Sequence, residues 1–312
     1  MPAKCTRFCA AESIERGDDM VGTATVAACF LLVECDGQWP INIKELFEQS
    51  RLSSSLTKLL REFIEWCPET VHPLLIKQKR SSQKSRKSRI YVVVCEEGRQ
   101  SGGRIDFSDE SEVDLGKLKH AYSSRGILEN ILLICTHGKR DKCCAKFGPP
   151  VFNILSKKLL DFEVYQSSHV GGDRFAANVI WLPYGLCFGH VQTALNDFAE
   201  SLHQELVLLK IFRGSVSFPS AAQYLEGVVR EKYRLVKPCG VSLISYSEEE
   251  DDNGYLVADA VLRISELDSH TVRGRVRIRH DESTGPQVLA SCNEDGFAFR
   301  RAFDLLELSE SD

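Results

Sequence analysis

Between residues 126 and 209 the sequence alternates in a way that few folds accommodate. A buried-strand run, ILENILLIC, ends on Cys135 and opens into a polar loop, CTHGKRDKCC. Two prolines follow in GPP, where they suit a helix start, and Val151, Ile154, Leu155 and Leu159 then recur at helical spacing. FEVYQSSH reads as a second strand, ending at His169. A glycine turn, VGGD, precedes FAANVIWLP, and a Tyr-Gly turn leads into LCFGHV, giving two further strands. A helix from about Thr193 to Leu209 places Leu195, Phe198, Leu202 and Leu206 on one side. The order strand, helix, strand, strand, strand, helix predicts an α/β layer with helices packed on a sheet. The cysteine loop and the His-Gly-Gly turn both fall at strand ends, where α/β folds assemble their sites.

The flanking sequence divides the 312 residues into three regions, 1–125, 126–236 and 237–312. The first carries a strand, TATVAACFLLVEC, and a helix from Ser53 to Trp66 with Leu56, Leu59, Leu60, Phe63 and Ile64 on one face. The apolar run HPLLIKQ and a strand, RIYVVVCEE, follow. The basic stretch KQKRSSQKSRKSR has neither an acid nor an aromatic residue for base stacking, so it reads as a solvated loop rather than a nucleic-acid patch. In the third region the acidic run EEEDD is expected to be a solvated loop. YLVADAVLRISEL and TVRGRVRIRHD are expected to be strands, the latter with arginines on an exposed face.

A net charge of -5 over this length gives no bias toward nucleic acid or membrane. MPAKCTRFCAAES lacks a signal-peptide core, and VAACFLLVEC is too short to span a bilayer, so the expected location is cytoplasmic. Twelve cysteines in a reducing compartment are then mostly buried small hydrophobes rather than a disulfide framework. Cys29, Cys35 and Cys95 fit that description, as do the C-x3-C pair Cys5 and Cys9; Cys292 is expected to be structural.

The cysteine loop is different. Soft thiolates in a reducing compartment select zinc, copper(I) or an iron–sulfur cluster. Cys135 stands C-x7-C from Cys143 and C-x8-C from Cys144, and neither spacing is the C-x2-C knuckle of a structural zinc site. A long loop can wrap a larger object, and Lys139, Arg140 and Lys142 would offset its negative charge and favour thiolates. Arg140 also has a simpler partner in Asp141. His169 ends the next strand and can reach the loop across the strand ends. Gly171 and Gly172 allow a close backbone approach or a tight turn. Asp173 is a ligand, an acceptor behind a ligand, or a cap.

CTHGKRDKCC, followed by HVGGDRFAANVIWLPYGLCFGHV, resembles the sucrase/ferredoxin-like family of thioredoxin-like 2Fe-2S ferredoxins. The upstream GTATVAACFLLVECDGQWP resembles the opening of its bacterial-type members. The resemblance covers roughly residues 5 to 235. It implies a thioredoxin-like fold for the second region and a degenerate thioredoxin-like fold for the first; the strand runs of the third region make it a β-rich C-terminal extension. In the family the cluster is held by C-x8-C and a later H-x3-H. These map onto Cys135, Cys144 and His169, with Asp173 in place of the second histidine and Cys143 a neighbour of the ligands. Asp173 ranks first as fourth ligand and His190 second, with Cys187 and Cys143 behind; Arg140, Asp141, Gly171 and Gly172 form the surrounding shell.

The expected function is therefore a 2Fe-2S redox protein, an electron carrier or sensor acting with a protein donor or acceptor rather than a hydrolase. Neither nucleic acid nor membrane is an expected partner. A cluster-free thiol oxidoreductase and a zinc site on Cys135, Cys144 and His169 are the alternatives. Sugar hydrolysis, which needs two carboxylates across a glycosidic bond, finds no segment that singles out such a pair.

Overall fold

The computed structural model describes residues 8–78, 87–96, 99–124, 126, 128–252, 254–265, 270–279, 286–293 and 297–311. A short helix, α1 (Cys9–Arg16), leads into β1 (Cys29–Glu34), α2 (Ser54–Trp66), β2 (Val71–Lys77), β3 (Ser88–Glu96), β4 (Arg99–Phe107) and α3 (Leu115–Ser123). The next stretch repeats that order with β5 (Ile131–Cys135), α4 (Lys142–Lys158), β6 (Glu163–Ser167), β7 (Val179–Leu182), β8 (Leu186–Phe188) and α5 (Leu195–His203). It is followed by β9 (Phe212–Ser215) and α6 (Ser220–Tyr233).

The pairing makes the two stretches copies of one motif. β1 is parallel to β2 and antiparallel to β3, which pairs antiparallel with β4. β5 is likewise parallel to β6 and antiparallel to β7, which pairs with β8. Each parallel pair requires a crossover, which α2 and α4 supply. An antiparallel contact between β2 and β6 fuses the halves into one nine-stranded sheet, ordered β4-β3-β1-β2-β6-β5-β7-β8-β9. The mixed α/β architecture with a separate β-rich C-terminal sheet is the class expected from sequence.

Central strands are buried on both faces, which is why they read as unbroken apolar runs. In β1, Leu31 and Val33 pack with Leu56, Leu60 and Phe63 of α2, while Phe30 and Leu32 face the opposite side. In β5, Leu132 and Ile134 pack beneath Val151 and Leu155 of α4. Ile131, Leu133 and Cys135 join the core that contains Phe30 and Leu32, and this shared core also holds Cys9, Cys143, Cys144 and Cys292.

Two local expectations change. The helix after the cysteine loop starts at Lys142, seven residues before the prolines, because the Asp141 side chain accepts the Cys143 N–H and caps it. Pro149 and Pro150 lie inside the helix, and both vicinal cysteines occupy its first turn. The acidic run is not wholly loop, since Glu248–Glu250 close β10 (Val241–Glu250). There Glu249 faces Arg275 of β12 (His270–Arg279) across β11 (Leu256–Ile264), and Arg275 also approaches Asp259. These strands form the four-stranded sheet β10-β11-β12-β15, where β15 is Ala302–Ser311. Its apolar face packs on α6 through Leu225, Val229, Val272 and Val276. A two-stranded ribbon of β13 (Gln287–Val288) and β14 (Ala298–Phe299) lies between. The basic stretch falls largely at residues 79–86 and, like Cys5, lies outside the described residues. No helix among the described residues is long and apolar enough to cross a membrane.

Candidate metal centre

β5 delivers Cys135 to the sheet end, and the short loop 136–141 returns the chain directly into α4. Gly148 lets the helix close on the strand end: a Cβ there would stand 2.1 Å from the Cys135 carbonyl oxygen. The Sγ atoms of Cys135 and Cys144 lie 3.4 Å apart, both fully buried. His169 joins them, so that one ligand atom from each of the three residues lies within 4.8 Å of the others. The Asp173 carboxylate stands at the side of this group, with Oδ1 3.6 Å from the Cys144 sulfur and 3.2 Å from His169 Nδ1. That buried Nδ1 has no aligned hydrogen bond. Cys135, Cys144, His169 and Asp173 thus converge at one sheet end.

The HVGGD turn is held from outside. The His169 backbone N–H donates to His137 Nδ1 at 3.2 Å, tying the turn to the cysteine loop. Gly171 and Gly172 have φ of 87° and 75°. A Cβ on Gly171 would meet Thr25 Oγ1 at 2.2 Å, and one on Gly172 would meet the Arg213 guanidinium at 2.3 Å. The glycines therefore serve a tight left-handed turn and the approach of these two side chains. Arg213 is buried and donates to the Gly171 carbonyl and to Asn178 Oδ1, while Asn178 Nδ2 donates to the Gly172 carbonyl.

The four groups hold their protons very unequally. The hydrogen bond shared with the Cys144 sulfur, helped by His169, holds Cys135 well below the usual thiol range. The same bond, with burial, pushes Cys144 well above it. Burial works to lower His169, but the hydrogen bond to Cys135 and the charges of Cys135 and Asp173 win and raise it. Burial pushes Asp173 up to about 6. Binding a metal must displace the Cys144 proton. His169 and Asp173 also line a cleft of about 370 Å³ whose walls include Arg140, Arg174, Arg213 and Arg301.

The other residues singled out from sequence lie elsewhere. His190 faces Ser13 Oγ through Nε2 at 3.3 Å and the Ala176 carbonyl through Nδ1 at 3.4 Å. The Cys187 sulfur accepts from Arg213 at 3.5 Å. Asp141 caps α4 and, with Cys143, belongs to a second buried group that includes Cys9 and Cys292. Cys9, Cys143 and Cys292 are all buried, as expected of Cys9 and Cys292, and their sulfurs meet one another. Nothing in the sequence pattern announces Arg213 or Asn178, whereas His137, between Cys135 and Cys144, carried a visible signal.

The family described as sucrase/ferredoxin-like matches residues 20–214, more than half of the chain. Among curated proteins the chain is similar to altered inheritance of mitochondria protein 32 of three yeasts. Identity is 28% over 123 residues in Debaryomyces hansenii, covering 35% of this chain and 44% of that protein. It is 30% over 104 residues in Eremothecium gossypii (28% and 33%) and 33% over 66 residues in Clavispora lusitaniae (20% and 24%). The chain spans less than half the length of each of these relatives. They are eukaryotic, so they lend no support to the bacterial-type kinship expected from the opening. No solved structure matches the chain. The family model spans the cysteine loop, the HVGGD turn and the paired strands that carry them, and the chain belongs to the sucrase/ferredoxin-like family.

Proposed function

We propose that this chain is a redox protein whose cofactor is a two-iron, two-sulfide cluster held by Cys135, Cys144, His169 and Asp173. The observation that carries the reading is the convergence of two buried thiols, an imidazole and a carboxylate from two loops at one sheet end. The donor set fits. Two thiolates at the 3.4 Å seen for Cys135 and Cys144 suit one metal, and the 3.2 Å His169–Asp173 pair suits its neighbour. Such a cluster supplies one-electron chemistry, and the protein's part is to fix its charge and its access to solvent. His169 and Asp173 are its exit, because they line the arginine-walled cleft. We infer a protein electron donor or acceptor that presents acidic groups to that wall. A reducing compartment keeps these thiols available; the cytosol is our reading, while the name of the yeast relatives ties those proteins to the inheritance of mitochondria.

A single zinc ion is the second reading, favoured by the 4.8 Å span of Cys135, Cys144 and His169. Thiol exchange fits less well, since full burial closes both sulfurs to a thiol of another molecule. Expression under anaerobic conditions followed by iron, sulfide and zinc analysis separates the readings. Coloured protein with equal iron and sulfide is expected, lost in Cys144→Ser and His169→Ala and kept in Cys143→Ser. Colourless protein holding zinc at these residues, or no metal, would overturn it.

A further inference from the structure

The vicinal cysteines of α4 face two ways, because successive residues of an α-helix point about 100° apart. Cys144 turns to Cys135 and Asp173. Cys143 turns to Cys9 at the start of α1 and to Cys292 in the loop after β13. The three sulfurs of this second group form a triangle with sides of 3.4, 3.4 and 3.6 Å. An ion bonded to each at the zinc–thiolate length of about 2.3 Å would sit about 1 Å above that triangle, leaving a fourth position open. Asp141 is the oxygen donor at hand: its Oδ1 lies 4.0 Å from the Cys9 sulfur, and all four ligand atoms fall within 4.8 Å.

Two features separate this group from a chance meeting of apolar thiols. The Ala10 N–H donates to the Cys143 sulfur and the Cys9 N–H to the Cys292 sulfur, each at 3.3 Å, the bonds that stabilise thiolates. Asp141 is 0% exposed, and among the described residues no cationic side chain pairs with it. Its donors are the Cys143 and Cys292 N–H groups and the Ser291 hydroxyl. A buried carboxylate beside three sulfurs calls for a cation.

We propose that Cys9, Cys143, Cys292 and Asp141 bind a structural zinc ion. The ion joins three segments spread over most of the chain: α1, the start of α4, and the loop carrying Cys292. That loop otherwise depends on the two-stranded β13–β14 ribbon and on contacts such as Asn293 to the Arg140 carbonyl. The zinc therefore staples both ends of the chain onto the loop that carries the first centre. The two centres share a dipeptide but no ligand, so this assignment does not rest on the nature of the first.

The full chain, purified from zinc-supplemented cells, should hold one zinc equivalent that Cys9→Ser and Cys292→Ser each lose and Cys144→Ser retains. Cobalt(II) added to chelator-stripped protein should give thiolate-to-cobalt charge-transfer absorption in the wild type and in Cys144→Ser, but much less in Cys292→Ser. Alkylation mapped by mass spectrometry should find Cys9, Cys143 and Cys292 protected until a chelator is added, and chelation should speed proteolysis near both ends. The last two measurements use wild-type protein and stand even where a variant misfolds. Folded wild type without zinc and without a cobalt–thiolate band would overturn the proposal. So would a disulfide joining two of the three cysteines, or a Cys292→Ser protein that keeps its full zinc.

Discussion

Asp173 stands where a second histidine would complete a two-cysteine, two-histidine set, and Asp173→His tests what its charge does. Its carboxylate oxygen lies 3.6 Å from the Cys144 sulfur and 3.2 Å from His169 Nδ1. Spread over the carboxylate, the charge is taken to act at about 4 Å from the middle of a two-metal cluster. With an effective dielectric constant of about 20, one charge at that distance is worth about 4 kcal/mol. For a one-electron couple this corresponds to about 170 mV. Arg140, whose charge acts on both His169 and Asp173, cancels part of it. The substitution keeps a ligand and removes the negative charge, so the potential should rise by about 100 to 170 mV. A second imidazole should also steepen the pH dependence, which in the wild type is expected from His169. Mediated redox titration of iron-loaded protein at several pH values, followed by visible absorption, measures both. An intact cluster in Asp173→His with an unmoved or lower potential would refute a carboxylate at the cluster.

Other perturbations test the frame around the site. Arg230 and Glu226 of α6 are both 0% exposed and joined at 2.9 Å; Arg230 also donates to the carbonyls of Leu235, Lys237 and Pro238, and Glu226 accepts from Ser215. Arg230→Ala or Glu226→Ala should cost about 3 to 5 kcal/mol in urea unfolding, because each strands a buried charge; a loss below about 1 kcal/mol would mean the pair is hydrated. Burial, the largest cause, pushes His190 down to about 4. Its folded value lies below the unfolded one, so its contribution is fully present above about pH 6.5 and is lost on acidification, by about 3 kcal/mol at pH 4. His190→Gln should flatten that part of the stability profile, and an unchanged acid slope would contradict it. Gly172→Ala combines a φ of 75° with a 2.3 Å clash against Arg213. It should destabilise by about 1 to 3 kcal/mol and lower metal content together with thermal stability; wild-type values for both would show that the turn relaxes freely.

How much of this was legible depended on what each element buries. α2 was visible because its inner face is Leu56, Leu60 and Phe63, and its Ser53 cap is local. β5 and β7 were visible because both of their faces are covered. α6 was not, because its buried face includes Gln223, Glu226 and Arg230, which break the apolar periodicity while meeting partners far away in sequence. β9 hides for the same reason, presenting Arg213 and Gly214 to the interior. The spacing and the family resemblance led to Cys135, Cys144, His169 and Asp173. The second group could not be read that way, because Cys9 and Cys292 are 283 residues apart and meet only through tertiary packing.

The duplicated motif also explains why both candidate groups sit in one half. In the second copy, residues 136–141 alone connect the end of β5 to the start of α4, so a thiol on the last strand residue faces thiols in the first helical turn. That turn adds the positive end of the helix dipole, capped by Asp141. In the first copy, residues 35–53 separate β1 from α2, too long a connection to force the same encounter. The space is taken instead by apolar packing, and Trp39 from that connection lies edge-on against His137 at 5.8 Å. His137 in turn accepts the His169 N–H. The first copy has thus become a buttress for the loops of the second. Shortening its 35–53 connection would be expected to loosen the HVGGD turn before it unfolds the sheet, seen as faster amide exchange at His169 while β1 and β2 stay protected.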